Sequence, residues 1–247
     1  MTLSSAAPDF EAYAKDKPFF YDRYVVPELL KRAAAGLTGT FVEIGAGDGQ
    51  KLRSAIDDGT FAGFSLIYAY DISEERIKRL RVQVPEAHAA VASADAVPLA
   101  DGTVDFVFSD QVIEHVPDDL AMARECSRVM RPGARAFIGS VVKGQGAWYF
   151  YRNAGYWRLD PTHVREYADT ATYRAIFETA GFVVRELELQ PIAFPLNELA
   201  LRLLMRLRIL DARRAQGSRM SRLLHILGRI AIPIPRYAFA YAILEKS

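Results

Sequence analysis

Phe41-Val42-Glu43-Ile44-Gly45-Ala46-Gly47-Asp48-Gly49-Gln50 is the stretch that decides the fold. An apolar run carrying one acid breaks into glycines at alternate positions. The run has the composition of a buried strand. Glycine lacks a Cβ, so the backbone after the strand can turn sharply and lie against a ligand. The helix that begins near Gln50 presents free N–H groups at its start. The pattern predicts a nucleotide-like ligand at the carboxyl end of a first strand.

Working outward, apolar runs alternate with helical patterns. Strands are predicted at 40–44, 64–70, 87–92, 104–109, 134–142 and 182–189. Helices are predicted at 22–35, 50–57, 73–81, 118–130 and 169–180. Ser73-Glu74-Glu75 supplies a cap and early acids. Arg131-Pro132-Gly133 stops the fourth of these helices. Such alternation predicts an α/β fold with a parallel sheet and helices on both faces. Tyr237 to Leu244 has the aromatic content of a last strand.

The 247 residues suit a single domain, and half of them are apolar. Lys and Arg number 31 against 30 Asp and Glu, so no global field points to nucleic acid. The charge is uneven: residues 191–247 hold ten basic and three acidic side chains. Within that region, leucines from Leu199 to Leu210 alternate with Arg202, Arg206 and Arg208. This pattern reads as helical and suits either a lipid surface or a helix pair packed on the domain. The expected organisation is an N-terminal helical lid (1–37), a cofactor-binding core (38–190), a basic helical insertion (191–235) and a final strand (236–247). One cysteine, Cys126, excludes an intrachain disulfide and fits a reducing cytoplasm. Met1 to Asp16 lacks the pattern of a signal peptide, and no apolar run reaches the length of a membrane span.

The glycine spacing narrows the ligand. Gly45-x-Gly47-x-Gly49 differs from the Gly-x-Gly-x-x-Gly dinucleotide fingerprint. Glu43 would repel a pyrophosphate and suits an ammonium. Asp71, ending the second strand, can accept from ribose hydroxyls. Asp95 follows the third strand and Asp110-Gln111 ends the fourth.

The order Glu43-Ile-Gly45-Ala46-Gly47-Asp-Gly49, Asp71-Ile72, Ala94-Asp95-Ala96-Val-Pro98, Asp105 to Val116 and Met130-Arg-Pro-Gly133 resembles class I S-adenosylmethionine-dependent methyltransferases of the type 11 kind. The resemblance covers about residues 38–142. It implies a Rossmann-like, doubly wound seven-stranded sheet of order 3-2-1-4-5-7-6, with the last strand antiparallel. It also implies S-adenosyl-L-methionine as cofactor. The glycines and Ala46 would pass the methionine part, with Glu43 at its amino end. Asp71 and Ile72 would lie at the ribose, Asp95 and Ala96 at the adenine, and Asp110 and Gln111 nearby.

Methyl transfer to a hydroxyl requires a base, and His115 and His163 lie on loops after the fourth and fifth strands. Arg165, Tyr167 and Tyr21 are candidate substrate residues. Trp148, Tyr149, Tyr151, Tyr156 and Trp157 could wall the same loop. Gln111-x-x-Glu114-His115 with His163 also resembles the Glu-x-x-Glu-His plus His constellation of metal-assisted O-methyltransferases. Gln111 stands where that pattern has Glu, and no metal is assigned. The expected reaction is O-methylation of a small-molecule, saccharide or lipid-linked acceptor, with peripheral membrane contact through 191–235. The rival reading is a non-catalytic cofactor-binding scaffold.

Overall fold

The computed structural model describes residues 10–16, 24–148, 151–153, 156–195 and 231–247. The chain runs α1 (Phe10–Asp16), α2 (Glu28–Ala34), β1 (Gly39–Ile44), α3 (Gln50–Asp57), β2 (Phe64–Asp71), α4 (Glu74–Gln83), β3 (His88–Val91) and β4 (Val104–Asp110). It continues through α5 (Asp119–Val129), β5 (Met130–Lys143), β6 (Tyr151–Asn153), β7 (Tyr156–Arg158), α6 (Thr170–Thr179), β8 (Phe182–Pro195) and β9 (Ala231–Lys246). Seven strands form one sheet in the order β3-β2-β1-β4-β5-β9-β8. With the small β6–β7 hairpin set aside, this is the expected order 3-2-1-4-5-7-6. The five strands β1 to β5 pair in parallel, and β9 runs antiparallel to both β5 and β8.

Alternation along the central strands sorts the core into two layers. Phe41, Phe106, Phe108 and Phe137 pack with α2, α3 and α4 on one face. Val42, Ile44, Val107 and Ile138 pack with α5 and α6 on the other. Side chains of successive strand residues point to opposite faces, so both faces of a central strand must be apolar when both are covered. Glu43 shares the face of Phe41 and is the exception in β1. Cys126 is fully buried, and burial pushes its thiol up to about 12, so it serves as a small core residue.

Several boundaries differ from expectation, among them that of β5, which begins at Met130 and takes in Arg131-Pro132-Gly133. The helix expected at 22–35 is α2 and starts after Pro27; a proline disfavours helical backbone in the residue before it, and Val26 is therefore outside the helix. The paired strands β8 and β9 reach to Pro195 and back to Ala231, so residues 191–195 and 231–235 are strand and not insertion. Pro195, Pro233 and Pro235 sit in a ribbon where β9 no longer pairs with β5, whose partners end at Tyr237, and Pro191, opposite Ala238, lies on β8 at the edge of the sheet. A strand edge without a neighbour tolerates a residue that lacks an N–H. The helices expected within 197–230 lie outside the described residues. The β6–β7 hairpin was not foreseen. Among the described residues no helix is long and apolar enough to cross a membrane.

Candidate functional site

The glycine loop is fixed by β2. Gly45 N–H and Ala46 N–H both donate to the Tyr70 carbonyl, at 2.7 and 2.9 Å. Gly47 N–H donates to Asp71 Oδ2 at 2.8 Å, and Ser73 N–H donates to Asp71 Oδ1 at 2.9 Å. Gly45 has φ +77°, and a Cβ there would lie 2.2 Å from the Val112 side chain. Gly49, at φ +84°, caps α3. The loop therefore needs glycine both for its backbone and for close approach. Asp71 is buried, and burial raises its pKa, with the bonds from Ser73 and Gly47 and the charge of Arg76 opposing the rise. Beside it Ile72 is 52% exposed, an apolar surface at the end of β2.

Glu43 is 1% exposed and its Oε2 makes no hydrogen bond. Burial, with the charges of Asp110 and Asp71 adding and Lys51 opposing, holds its carboxyl at about 8. A buried carboxylate with an unused oxygen suits a cationic donor, so the ammonium of the methionine moiety fits here. Asp110, expected near the cofactor, is anchored by the protein: its Oδ2 accepts from Lys51 Nζ at 2.8 Å and Tyr24 hydroxyl at 3.2 Å. Gln111 adopts φ +64° and donates its N–H to the Gly139 carbonyl at 3.0 Å. A left-handed residue without glycine's freedom is strained, and here it bends the chain at the end of β4. Asp95 and Ala96 form an exposed turn after β3, with the Ser93 hydroxyl on the Asp95 carboxylate.

The second half of the site is polar and buried. Glu114 is fully buried; its Oε2 accepts from the Ser140 hydroxyl at 2.9 Å, and its Oε1 has no partner. Burial raises its pKa to about 6, opposed chiefly by His163. His115 Nδ1 is 3.0 Å from the Thr162 hydroxyl, which itself donates to Asp160 at 2.6 Å. The single hydroxyl proton is thus used, and His115 Nδ1 must be the donor of that contact. Burial and the neighbouring His163 push the His115 pKa well down, so the ring is neutral. His163 is 3% exposed, and its Nδ1 is 2.8 Å from Glu166 Oε1. Burial lowers its pKa, but Glu166, Glu114 and Asp160 outweigh that, and the net shift is upward. The two imidazoles meet edge to face at 4.8 Å between centroids. Glu114, His115 and His163 bring one ligand atom each within 4.8 Å of one another.

The two halves are joined. Val112 touches the glycine loop at Gly45, and its carbonyl accepts the His115 N–H at 2.8 Å. Helix α1 spans them: Glu11 accepts from the Glu74 N–H at the start of α4 at 2.5 Å, and the Phe10 ring lies 6.0 Å from His115.

Two of the expected substrate residues do other work. The Arg165 guanidinium donates to the carbonyls of Ile113, Val116 and Pro117 at 3.1, 2.5 and 2.6 Å. It binds the turn that carries Glu114 and His115. Tyr167 is 4% exposed, and its hydroxyl donates to Asp119 at 3.1 Å. Tyr21 lies outside the described residues, as do Tyr149 and the side chain of Tyr156. Trp148 and Trp157 contact each other at 6.2 Å, with Trp148 60% exposed. Sequence reasoning did not single out Glu166, Ser140 or Lys51. Glu166 could have been found three residues after His163 in one loop; Ser140, inside an apolar strand, carries no such signal.

Residues 42–138 match the methyltransferase domain family model. The chain is 27% identical over 173 residues to a protein of Mycolicibacterium smegmatis named a probable S-adenosylmethionine-dependent methyltransferase, covering 70% of this chain and 62% of that protein. It is 30% identical over 172 residues to the malonyl-[acyl-carrier protein] O-methyltransferase of Methylococcus capsulatus, covering 66% of this chain and 60% of the relative. The chain thus spans about three fifths of the length of these curated relatives. The solved phosphoethanolamine N-methyltransferase 2 of Haemonchus contortus, bound to S-adenosyl-L-methionine, shares the fold at TM-score 0.57 and 19% identity, over 89% of this chain and 51% of that one. Fold, loop and matched residues define a Rossmann-like methyltransferase domain. Over residues 42–138 the chain is similar to the class I S-adenosylmethionine-dependent methyltransferases, and S-adenosylmethionine is its cofactor.

Proposed function

We propose that this chain transfers the cofactor's methyl group to a hydroxyl of a small-molecule, saccharide or lipid-linked acceptor, with His163 as base. The observation that carries this reading is the set of buried Glu114 and His163 with half-buried His115, joined to the glycine loop through Val112. The cofactor supplies an electrophilic methyl on a sulfonium whose leaving thioether is neutral, so no acid is required. Glu43 would hold the ammonium, Asp71 the ribose, and Ile72 would cover an apolar face. The chain must align the acceptor oxygen, exclude water and take up the hydroxyl proton. His163 has Nδ1 committed to Glu166, which leaves Nε2 for that proton. The name of the Methylococcus relative, an O-methyltransferase, supports oxygen as nucleophile.

Methyl-labelled cofactor, incubated with panels of phenols, glycosides and lipid-linked saccharides, tests the reading. Product with the wild type and loss of turnover in His163→Gln, at unchanged cofactor affinity, supports it. Tight cofactor binding with no product on any panel favours a scaffold. For the contact through 191–235, co-sedimentation with anionic liposomes is the test, and binding that survives deletion of 197–230 would sink it.

A second reading is favoured by the clustering of Glu114, His115 and His163 within 4.8 Å. Two imidazoles and a carboxylate could hold a divalent ion that lowers the acceptor's pKa, with Gln111 in place of a fourth, anionic ligand. Titration with Co²⁺, read by its visible absorption in wild type and His115→Gln, separates this reading from the first.

A further inference from the structure

Glu166 belongs to none of the motifs that define the cofactor site, yet it is the most heavily contacted carboxylate beside the histidines. Its side chain is 2% exposed. Oε1 accepts from His163 Nδ1 at 2.8 Å and from the Leu159 N–H at 2.6 Å. Oε2 accepts from the Tyr237 hydroxyl at 3.3 Å and lies 3.6 Å from Lys143 Nζ. Donors from its own loop, from β9 and from the end of β5 thus fix one carboxylate. Every group around it donates, so Glu166 acts as an acceptor throughout, and His163 Nδ1 must carry the proton of their shared bond.

The neighbouring ring is locked differently. His115 is turned by Thr162, whose hydroxyl is committed to Asp160. Each imidazole therefore has Nδ1 engaged by its own loop partner, and Nε2 is the nitrogen those partners leave over. An imidazole oriented this way by a buried carboxylate presents a lone pair in a fixed direction, and the carboxylate steadies the imidazolium that forms when a proton arrives.

We propose that Glu166 is the positioning residue of this site, fixing His163 as the Nδ1–H tautomer so that Nε2 serves as the proton acceptor. The assignment rests on the reading of His163 as base. A merely structural Glu166 would tie the loop to β5 and β9 and leave the tautomer of His163 unspecified.

The test needs no acceptor. Two-bond ¹H–¹⁵N correlation spectra of ¹⁵N-labelled protein, recorded at a pH alkaline enough to neutralise His163, whose pKa is raised, report which nitrogen of each neutral imidazole carries the proton. The chain has four histidines, and the His163 signals are those missing from His163→Gln. In the wild type, His163 should be protonated at Nδ1, with a downfield Nδ1–H resonance. In Glu166→Met, which keeps bulk but removes the acceptor, that resonance should vanish and the Nε2–H form should become the majority. Circular dichroism and cofactor binding establish that the variant is folded. A wild-type His163 protonated at Nε2 overturns the proposal even if Glu166→Met does not fold. A folded Glu166→Met with the wild-type tautomer overturns it too. Normal turnover in His163→Gln would instead remove the base and leave the tautomer result standing, so the two failures are distinct.

Discussion

Gly47 N–H donates to Asp71 Oδ2 at 2.8 Å, which makes the middle of the glycine loop and the end of the second strand one unit. Asp71 cannot hold a ribose without also holding the loop. Asp71→Ala should therefore lower two quantities together. Cofactor affinity should fall by about 1–3 kcal/mol, and unfolding free energy by a similar amount, because the Ser73 and Gly47 N–H groups lose their acceptor. Calorimetry with S-adenosylhomocysteine and urea melts measure the pair; loss of affinity at full stability would refute the joint role.

Glu43 makes cofactor binding pH-dependent. Burial pushes its carboxyl up to about 8 in the folded chain, against an ordinary value of 4.5. Below the lower value it is neutral in both folded and unfolded states. As pH rises from there towards about 8, the unfolded chain ionises and the folded chain resists, so stability falls across that window. The E43Q protein should lack this slope. An ammonium beside Glu43 favours the ionised form, so binding near neutral pH should release up to about one proton. Calorimetry in two buffers of different ionisation heat reads that proton directly. Its absence in the wild type would disprove the ammonium contact.

Much of the fold was legible because the central strands obey a period of two with apolar residues on both faces, and because Ser73, Asp118 and Asp169 cap their helices through side-chain acceptors. The glycine loop was legible because its positive φ at Gly45, Gly47 and Gly49 falls on the residue type that tolerates it. The acceptor half was not. Arg165 looked like an anion-binding residue, since sequence cannot distinguish a guanidinium facing a ligand from one facing three carbonyls. The last two strands were expected only at 182–189 and from Tyr237, and they run on through Pro191, Pro195, Pro233 and Pro235 because whether a strand edge has a neighbour is a property of the sheet. Ser140 is invisible in an apolar run until Glu114 is placed opposite it.

Gly45→Ala should damage the site through space as well as backbone. The new Cβ would sit 2.2 Å from the Val112 side chain, at a φ of +77°. Either the loop or Val112 must move, and Val112 carries the carbonyl that accepts the His115 N–H. A loss of about 1–3 kcal/mol in stability is expected, with a larger loss of cofactor affinity. Thermal melts and cofactor titration check both; a wild-type melting curve would count against the close approach.

Arg165→Lys should not be conservative. A guanidinium reaches the carbonyls of Ile113, Val116 and Pro117 at once, and an ammonium cannot reproduce that fork. Stability should drop by about 1–3 kcal/mol, with cofactor affinity little changed because the cofactor loop is not touched. An acceptor whose binding weakened in a fully stable Arg165→Lys protein would restore the substrate role.

Removing the hydroxyl in Ser140→Ala leaves the buried Glu114 carboxylate with no side-chain donor. The charged form is then harder to keep, so the Glu114 pKa should rise further above about 6. Carboxyl ¹³C titration of wild type and variant measures the change, and an unaltered midpoint would show that Ser140 does not support the ionised form.

The placement of β9 has a consequence for how the chain assembles. Arg135 at the start of the β5 ladder pairs with Glu245, and Phe182 pairs with Lys246. On the ribosome, β8 emerges with no partner and stays so until the whole stretch 196–230 has followed it. The parallel half, which builds the cofactor site, can collapse early through local β–α–β units, whereas the edge that closes over Glu166 through Tyr237 waits for the most distant contacts in the chain. Competence to bind the methyl donor and competence to position His163 should therefore arise at different moments of synthesis.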